Sequence, residues 1–274
     1  MDHGIYITAT PIGNLQDITL RALEAIKACD AVICEDSRVS QKLLSFLGVK
    51  KRMIVYNDHS DEAVRAFILA EAGSKALVLV SDAGTPLISD PGYKLIKAAQ
   101  EAGIFVTTLP GACSVVAAVT LSGLPSDNFT FIGFLPQKIE GKRKEFTKYK
   151  SLDSTIICFD RGSRLEDSIT AALEVFGDKE ASVVREISKI YEQVNRNTLS
   201  ELLKFYKDKE PKGEIVFLIS NKIDENSILT EDEINEKLTF LCYNHSIKDA
   251  AEIASKILGM KKKEAYERLL KIKG

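Results

Sequence analysis

The chain has no tryptophan, three histidines, three methionines and seven prolines in 274 residues. The histidines (His3, His59, His245) stand far apart, and none has the spacing of a metal site with its neighbours. The five cysteines (Cys29, Cys34, Cys113, Cys158, Cys242) are odd in number, scattered, and include no Cys-x-x-Cys. A disulfide framework is therefore not expected; the thiols, three of them in or beside apolar runs, read as reduced and buried in a cytoplasmic protein. No apolar run nears the roughly 18 residues of a membrane span and no leader pattern opens the chain, so nothing is expected to cross a membrane. Charge of one sign is missing too. Lys and Arg number 37 against 39 Asp and Glu, net −2, so nucleic acid would have to be met by local patches. The first strand–loop–helix has one glycine where a dinucleotide fingerprint needs three, and no Gly-Lys-Ser/Thr follows it. Neither a Ser/His/Asp arrangement nor an activated-cysteine context is visible.

What is present is an ordinary globular composition, 45% hydrophobic and 28% charged, with length enough for two domains. Five short apolar runs alternate with helical spacing over the first 120 or so residues: 4–9, 31–34, 53–56, 76–80 and 104–109. That order predicts a mostly parallel sheet covered on both faces. A joint is expected at 122–128. A second α/β run follows, with strands at 129–134, 155–159, 181–185 and 214–220. No crossover helix fits between Val183 and the stretch 191–194, so part of this second sheet is expected to be antiparallel. Residues 221–229 read as a linker. Three helices follow, near 231–242, 247–258 and 261–272, with Ser246 as N-cap and Gly259 as a stop. The expected domains are 1–122, 123–222 and a helical appendage, 230–274.

The stretch Ser81–Gly92 organises the rest. It is a twelve-residue loop leaving the carboxyl end of the buried run 76–80, stiffened by Pro86 and Pro91 and opened by Gly84 and Gly92. Loops of this length without their own secondary structure are usually functional. Loops 10–17, 35–38 and 110–114 also follow strand ends, and in a parallel sheet all four converge on one edge, where α/β proteins bind ligands. Their backbone N–H groups near helix N-termini suit a carboxylate, ribose or phosphate. Strand ends of the second domain at 160–164 and 185–189 would close a cleft over them. With no metal cluster or nucleophile in view, the expectation is a reaction whose reactive group comes from a cofactor, the protein supplying orientation.

Residues 10–15 with 17–19, Glu35–Arg38, Ser81–Gly92, Leu109–Ala112, Ser122–Pro125 and Gly133–Pro136 resemble the bacterial small-subunit ribosomal RNA ribose methyltransferases of the tetrapyrrole-methylase superfamily. The likeness covers nearly the whole chain, and Ser81–Gly92 is its most specific part. Residues 248–251 and 263–266 resemble that family's small C-terminal helical domain. The chain departs from the family pattern at Asp160–Arg164, where Glu-Ser-Pro-His-Arg is common, at Ile187 and Ser188, and at Asn197, where glycine is usual.

The resemblance implies two α/β domains of the tetrapyrrole-methylase fold with S-adenosylmethionine in the cleft between them, and a homodimer. It implies 2′-O-methylation of a cytidine in the decoding region of 16S ribosomal RNA. Ile12, Gly13, Ala83, Gly84, Thr85, Ile88, Cys113, Ser114, Asp160 and Ile187 would then bind the cofactor. A 2′-hydroxyl is a weak acid, so a base or polarising group helps; Glu186, Asp36, and Lys189 if burial lowers its pKa, are the candidates. Residues 137–150 are rich in Lys and Arg. With the lysines at 261–263 they would bind RNA phosphates: Lys138, Lys142, Arg143, Lys144, Lys148, Lys261, Lys262 and Lys263. Two other readings remain open, a tetrapyrrole C-methyltransferase and a noncatalytic RNA-binding assembly factor.

Overall fold

The computed structural model describes residues 1–57, 60–222 and 231–273. Asp58 and His59, and the expected linker from 223 onward, lie outside the described residues. Five strands form the first sheet: β1 (Gly4–Thr8), β2 (Ala31–Cys34), β3 (Arg52–Val55), β4 (Ala76–Leu79) and β5 (Val106–Leu109). Their order is β3-β2-β4-β1-β5 and every pairing is parallel. β4 is buried throughout because successive side chains enter two different cores. Leu77 and Leu79 pack with Ile5, Ile68 and Leu95, whereas Val78 and Val80 pack with Ile26 and Leu44. The covering helices are α1 (Leu20–Ala28), α2 (Ser37–Phe46), α3 (Glu62–Ala72) and α4 (Tyr93–Glu101). Side-chain caps start three of them: Thr19 accepts the Ala22 N–H, Asp36 that of Arg38, and Asp61 that of Val64.

Helix α5 (Ser114–Ser122) leaves β5 and covers the other sheet. Its Val115, Ala118 and Val119 pack on Ile157, Val184, Val216 and Leu218. The chain order that groups it with the first sheet does not say which sheet buries it. The second sheet holds β6 (Phe129–Phe134), β7 (Ser154–Arg161), β8 (Glu180–Arg185), β9 (Gln193–Thr198) and β10 (Glu214–Asn221). The order is β6-β7-β10-β8-β9, with β6–β7 parallel and the rest antiparallel. β8 and β9 are antiparallel because the seven residues between them are too few for a crossover. Helices α6 (Ile139–Thr147), α7 (Leu165–Phe176) and α8 (Leu199–Tyr206) accompany this sheet, and their Phe146, Leu165, Ile169, Phe176, Leu199 and Leu202 share one core with its strands.

The segment Ile223–Gly274 is a separate compact unit. Its helices α9 (Glu231–Asn244), α10 (Ile247–Ile257) and α11 (Lys262–Lys273) enclose a core of their own around Leu238, Leu241, Ala254 and Leu269. Ser246 caps α10 by accepting the Asp249 N–H, and Gly259 takes a φ of +65°. No described helix is long and apolar enough to cross a membrane.

Candidate active site

The carboxyl ends of β1, β2, β4 and β5 open on the same edge, and the loops leaving them are tied together. Thr10 and Gly84 exchange backbone hydrogen bonds, with Thr10 N–H to Gly84 O at 2.8 Å and Gly84 N–H to Thr10 O at 3.0 Å. The Thr85 hydroxyl donates to Ala112 O at 3.0 Å, and the Asp36 N–H to the Asp82 carboxylate at 3.3 Å. Gly84 has a φ of +80°, and a Cβ there would stand 3.2 Å from Ile12 Cγ2. Only glycine takes that conformation and that space without strain. Leu87 (φ +74°) and Ser89 (φ +64°) lie in the same left-handed region despite their side chains. Residues so held cluster at functional sites.

Facing this edge is the loop after β8. Glu186 (φ +51°) and Ser188 (φ +65°) are also left-handed, and Ile187 between them lines the cavity. The Ser188 hydroxyl donates to the Asp17 carboxylate, bridging the two sheets' loops. Between the two sheets lies a cavity of about 620 Å³. Ile12, Ala83, Gly84, Thr85, Ile88, Cys113 and Ser114 line it from the first sheet's side. Phe134, Phe159, Asp160, Ile187 and Val216 line it from the second. Ser114 begins α5, so a helix N-terminus opens into the space.

Nine of the ten expected cofactor residues therefore share one cavity. Gly13 is a correction. It is exposed, and it lies so near the opposing loop that a Cβ would meet Lys189 Cγ at 2.6 Å and Ile187 O at 2.7 Å. It lets the two loops approach and does not line the cavity. Cys113 is half-buried on the cavity wall, unlike Cys29, Cys34 and Cys158, whose burial pushes their thiols up.

The expected bases also need correction. None of Glu186, Lys189 and Asp36 lines the cavity. Lys189 Nζ sits 2.9 Å from Glu186 Oε1 and 2.9 Å from Glu214 Oε2. Burial pulls its pKa down, but hydrogen bonds to those two carboxylates outweigh it, so the ammonium is held above its ordinary value rather than below. The Glu214 backbone N–H, against a burial penalty and with help from Lys189, holds Glu186 below the usual carboxylate range. Asp36 is held down at about 2, first by its hydrogen bond to the Arg38 guanidinium and then by the Arg38 N–H. A paired, low-pKa carboxylate accepts protons poorly.

The basic stretch divides. Lys138, Lys144, Lys148 and Lys150 are exposed. Lys142 is the correction: its side chain is 0% exposed. Its Nζ donates to Arg164 O at 2.7 Å, to Ser168 Oγ at 2.5 Å and to Asp160 Oδ2 at 3.3 Å. A buried ammonium so enclosed cannot reach a phosphate; it braces Asp160 behind the cavity wall. Arg143 is engaged by Glu140 and Glu174. The missed signal was helical spacing, with Lys142 and Phe146 four residues apart on the buried side of α6. In the helical unit Lys261, Lys262 and Lys263 are exposed, Lys262 pairing with Glu252 at 2.8 Å. Sequence reasoning also passed over Asp90, Phe134, Arg161 and Lys212, which line the cavity. Asp90 was within sight, inside the loop Ser81–Gly92.

Residues 4–203 match the family model described as Tetrapyrrole (Corrin/Porphyrin) Methylases. The chain belongs to the tetrapyrrole methylase family. Residues 230–273 match a second model, described as RsmI C-terminal HTH domain. Among curated relatives, Ribosomal RNA small subunit methyltransferase I of Rickettsia prowazekii is 44% identical over 92% of this chain and 90% of its own. The Escherichia coli O157:H7 protein of the same name is 38% identical over 98% of this chain and 96% of its own. Of solved structures, a diphthine synthase superposes with a TM-score of 0.61 at 17% identity, over 79% of this chain and 89% of that one. A Thermus thermophilus uroporphyrin-III-C-methyltransferase gives 0.56 at 17% identity, over 80% and 96%. These distant proteins share the two-sheet fold.

Proposed function

We propose that this tetrapyrrole-methylase-family protein binds S-adenosylmethionine in the cavity between its sheets and methylates the ribose 2′-oxygen of a cytidine in the decoding region of 16S ribosomal RNA. The observation that carries the reading is the coincidence of the two levels. The chain is similar along nearly its full length to proteins named small-subunit ribosomal RNA methyltransferases, and its cavity has the size and lining that the cofactor needs. The fit rests on the residues present. Phe134, Phe159, Ile187 and Val216 supply apolar surface for an adenine ring. Gly84 leaves open the space a Cβ would fill beside Ile12, and Ala83–Thr85 bring backbone polar groups to the wall. When bound, the cofactor supplies an electrophilic methyl on a sulfonium sulfur.

In this reading Ile12, Ala83, Gly84, Thr85, Ile88, Cys113, Ser114 and Ile187 contact the cofactor directly, while Asp160 is braced by Lys142 and Arg164. The Glu186–Lys189–Glu214 cluster holds the loop that carries Ile187. Lys138, Lys144 and Lys148, with Lys261 and Lys263 of the helical unit, meet RNA phosphates. The protein works on the small subunit as a homodimer, with divisions near 122 and 223. Ribose-methylation mapping of ribosomal RNA from cells with and without this protein tests the activity. A single 2′-O-methyl lost from a cytidine of 16S RNA is expected; an unchanged ribose pattern, or loss of a base methyl alone, overturns the assignment.

A further inference from the structure

The segment 210–212 belongs to two depressions at once. It lines the cavity between the sheets, and it also lines a separate groove of about 390 Å³ with Arg185, Gln193, Phe205, Tyr206 and Lys209. Cavity and groove are therefore neighbours divided by one stretch of chain. That stretch is fixed in place. Gly162, just past the end of β7, is buried against it, and a Cβ there would stand 1.5 Å from Pro211 O. Only a residue without a side chain lets the segment cross at that point. The turn leading into it is tied down as well. The Lys209 N–H donates to Tyr206 O at 3.0 Å, and the Asp208 N–H to the Glu166 carboxylate at 3.1 Å.

The cations of this groove are oriented by neutral partners. Arg185, at the end of β8, donates from Nη1 to Lys212 O at 2.8 Å and from Nε to Gln193 Oε1 at 3.3 Å. The Lys209 ammonium stands 3.9 Å from the centroid of the Phe205 ring. A ring face positions a cation without cancelling its charge. Lys212 is exposed, and among the described residues Arg185, Lys209 and Lys212 form no ion pair. Other cations of the second sheet's domain differ: Lys142, Arg143, Lys189, Arg196 and Lys222 all meet carboxylates. Glu210 is the acid on the groove, and Glu186, next to Arg185, is engaged by Lys189. Three cations thus face one carboxylate, on a chain whose net charge is −2. On the cavity side of the same segment Arg161 is exposed, also without an ion pair among the described residues.

We propose that this groove binds a phosphodiester of the RNA strand beside the nucleotide being methylated, an inference that rests on the ribose methylation proposed above. A strand that delivers its ribose to the cavity across segment 210–212 lays the neighbouring phosphate among Arg185, Lys209 and Lys212. Nη2 of Arg185 makes no hydrogen bond among the described residues and is left for a phosphate oxygen. Cations already held in place lose little freedom on meeting their anion. A carboxylate partner would instead have to be displaced first, as at Arg143. Phosphate carries no sequence, so the groove positions the strand and leaves the choice of nucleotide to other contacts.

The test compares the full chain with a double variant, Lys209→Gln and Lys212→Gln. Lys27→Gln with Lys50→Gln serves as a control of equal charge loss at two exposed lysines outside the groove. The groove variant should bind small subunits about tenfold more weakly near physiological salt, and its logarithmic salt dependence should flatten by roughly 1.4–1.8. Its KM for small subunits should rise by more than its kcat falls. An unchanged salt slope, an equal loss in the control, or a defect confined to cofactor affinity overturns the proposal. A second measurement places the strand. Azidophenylalanine in place of Phe205, illuminated with small subunits bound, should crosslink to 16S RNA within a few nucleotides of the methylated ribose. Crosslinks to ribosomal protein alone, or to RNA remote from that ribose, are equally fatal. The parent reading is scored separately by the wild-type product. Failure to form 2′-O-methylcytidine sinks that reading, whereas an active wild type with an indifferent groove variant sinks this one alone.

Discussion

At the residue scale, the cavity depends on positions where one atom more does not fit. Valine at Gly84 would bring a Cβ to 3.2 Å from Ile12 Cγ2, at a φ of +80° that disfavours a β-branched side chain. Gly84→Val should abolish measurable S-adenosylmethionine binding in calorimetry while the protein keeps its circular dichroism spectrum; unchanged affinity would remove the loop from the cofactor site. Lys142 makes the opposite point, since a charge seen in sequence as solvent-facing is among the largest fully buried side chains of the described residues. Burial pulls its pKa down while Asp160 pulls it up, and the fall prevails. Truncating one member of a buried pair leaves the other uncompensated. Lys142→Ala should cost about 3–5 kcal/mol in a denaturant titration, because Asp160 would remain buried with only Arg164 as a cation. A loss below about 1 kcal/mol would mean water or relaxation serves Asp160 as well as the ammonium does.

At the element scale, α6 shows how a basic stretch sorts itself on folding. Phe146 and Lys142 turn inward, Arg143 is held by two glutamates, and Lys138, Lys144 and Lys150 face solvent with no ion pair among the described residues. RNA affinity should follow that sorting. Replacing Lys138, Lys144 and Lys150 with alanine should flatten the logarithmic salt dependence of RNA binding by about 0.7–0.9 per lost phosphate contact. An unchanged slope would make this face a solvated surface. The loop Glu186–Glu192 has its own test. Lys189→Met removes both ion pairs that hold Glu186 and Glu214, and should weaken cofactor binding in calorimetry through a displaced Ile187. Unchanged affinity would leave those ion pairs without a part in shaping the cofactor site. Asp36, held near 2, stays ionised across the working range and adds no limb to the pH–rate profile.

At the scale of the whole molecule, two units with separate cores imply separable properties. A chain ending after residue 224 should bind S-adenosylmethionine as the full protein does and bind small subunits at least tenfold more weakly; equal subunit affinity would leave the helical unit without an RNA role. Sequence alone determined the parallel first sheet, because β4 and its neighbours are continuous apolar runs separated by capped, amphipathic helices, and those are local properties. It likewise determined that the loops after β1, β2, β4 and β5 meet, since parallel strands put their carboxyl ends on one edge. It could announce β9 as an antiparallel partner of β8 from the shortness of the connection. Tertiary structure alone decided the remainder. Whether α5 buries its face on the first sheet or the second, whether Lys142 meets water or Asp160, and whether Lys189 has a lowered pKa or two carboxylate partners all depend on groups distant in sequence. Asp90 follows the same rule: its letter lies in the most informative loop of the chain, but the rise of its pKa to about 6 comes from burial with Asp82 adding to it, and only the folded turn supplies either.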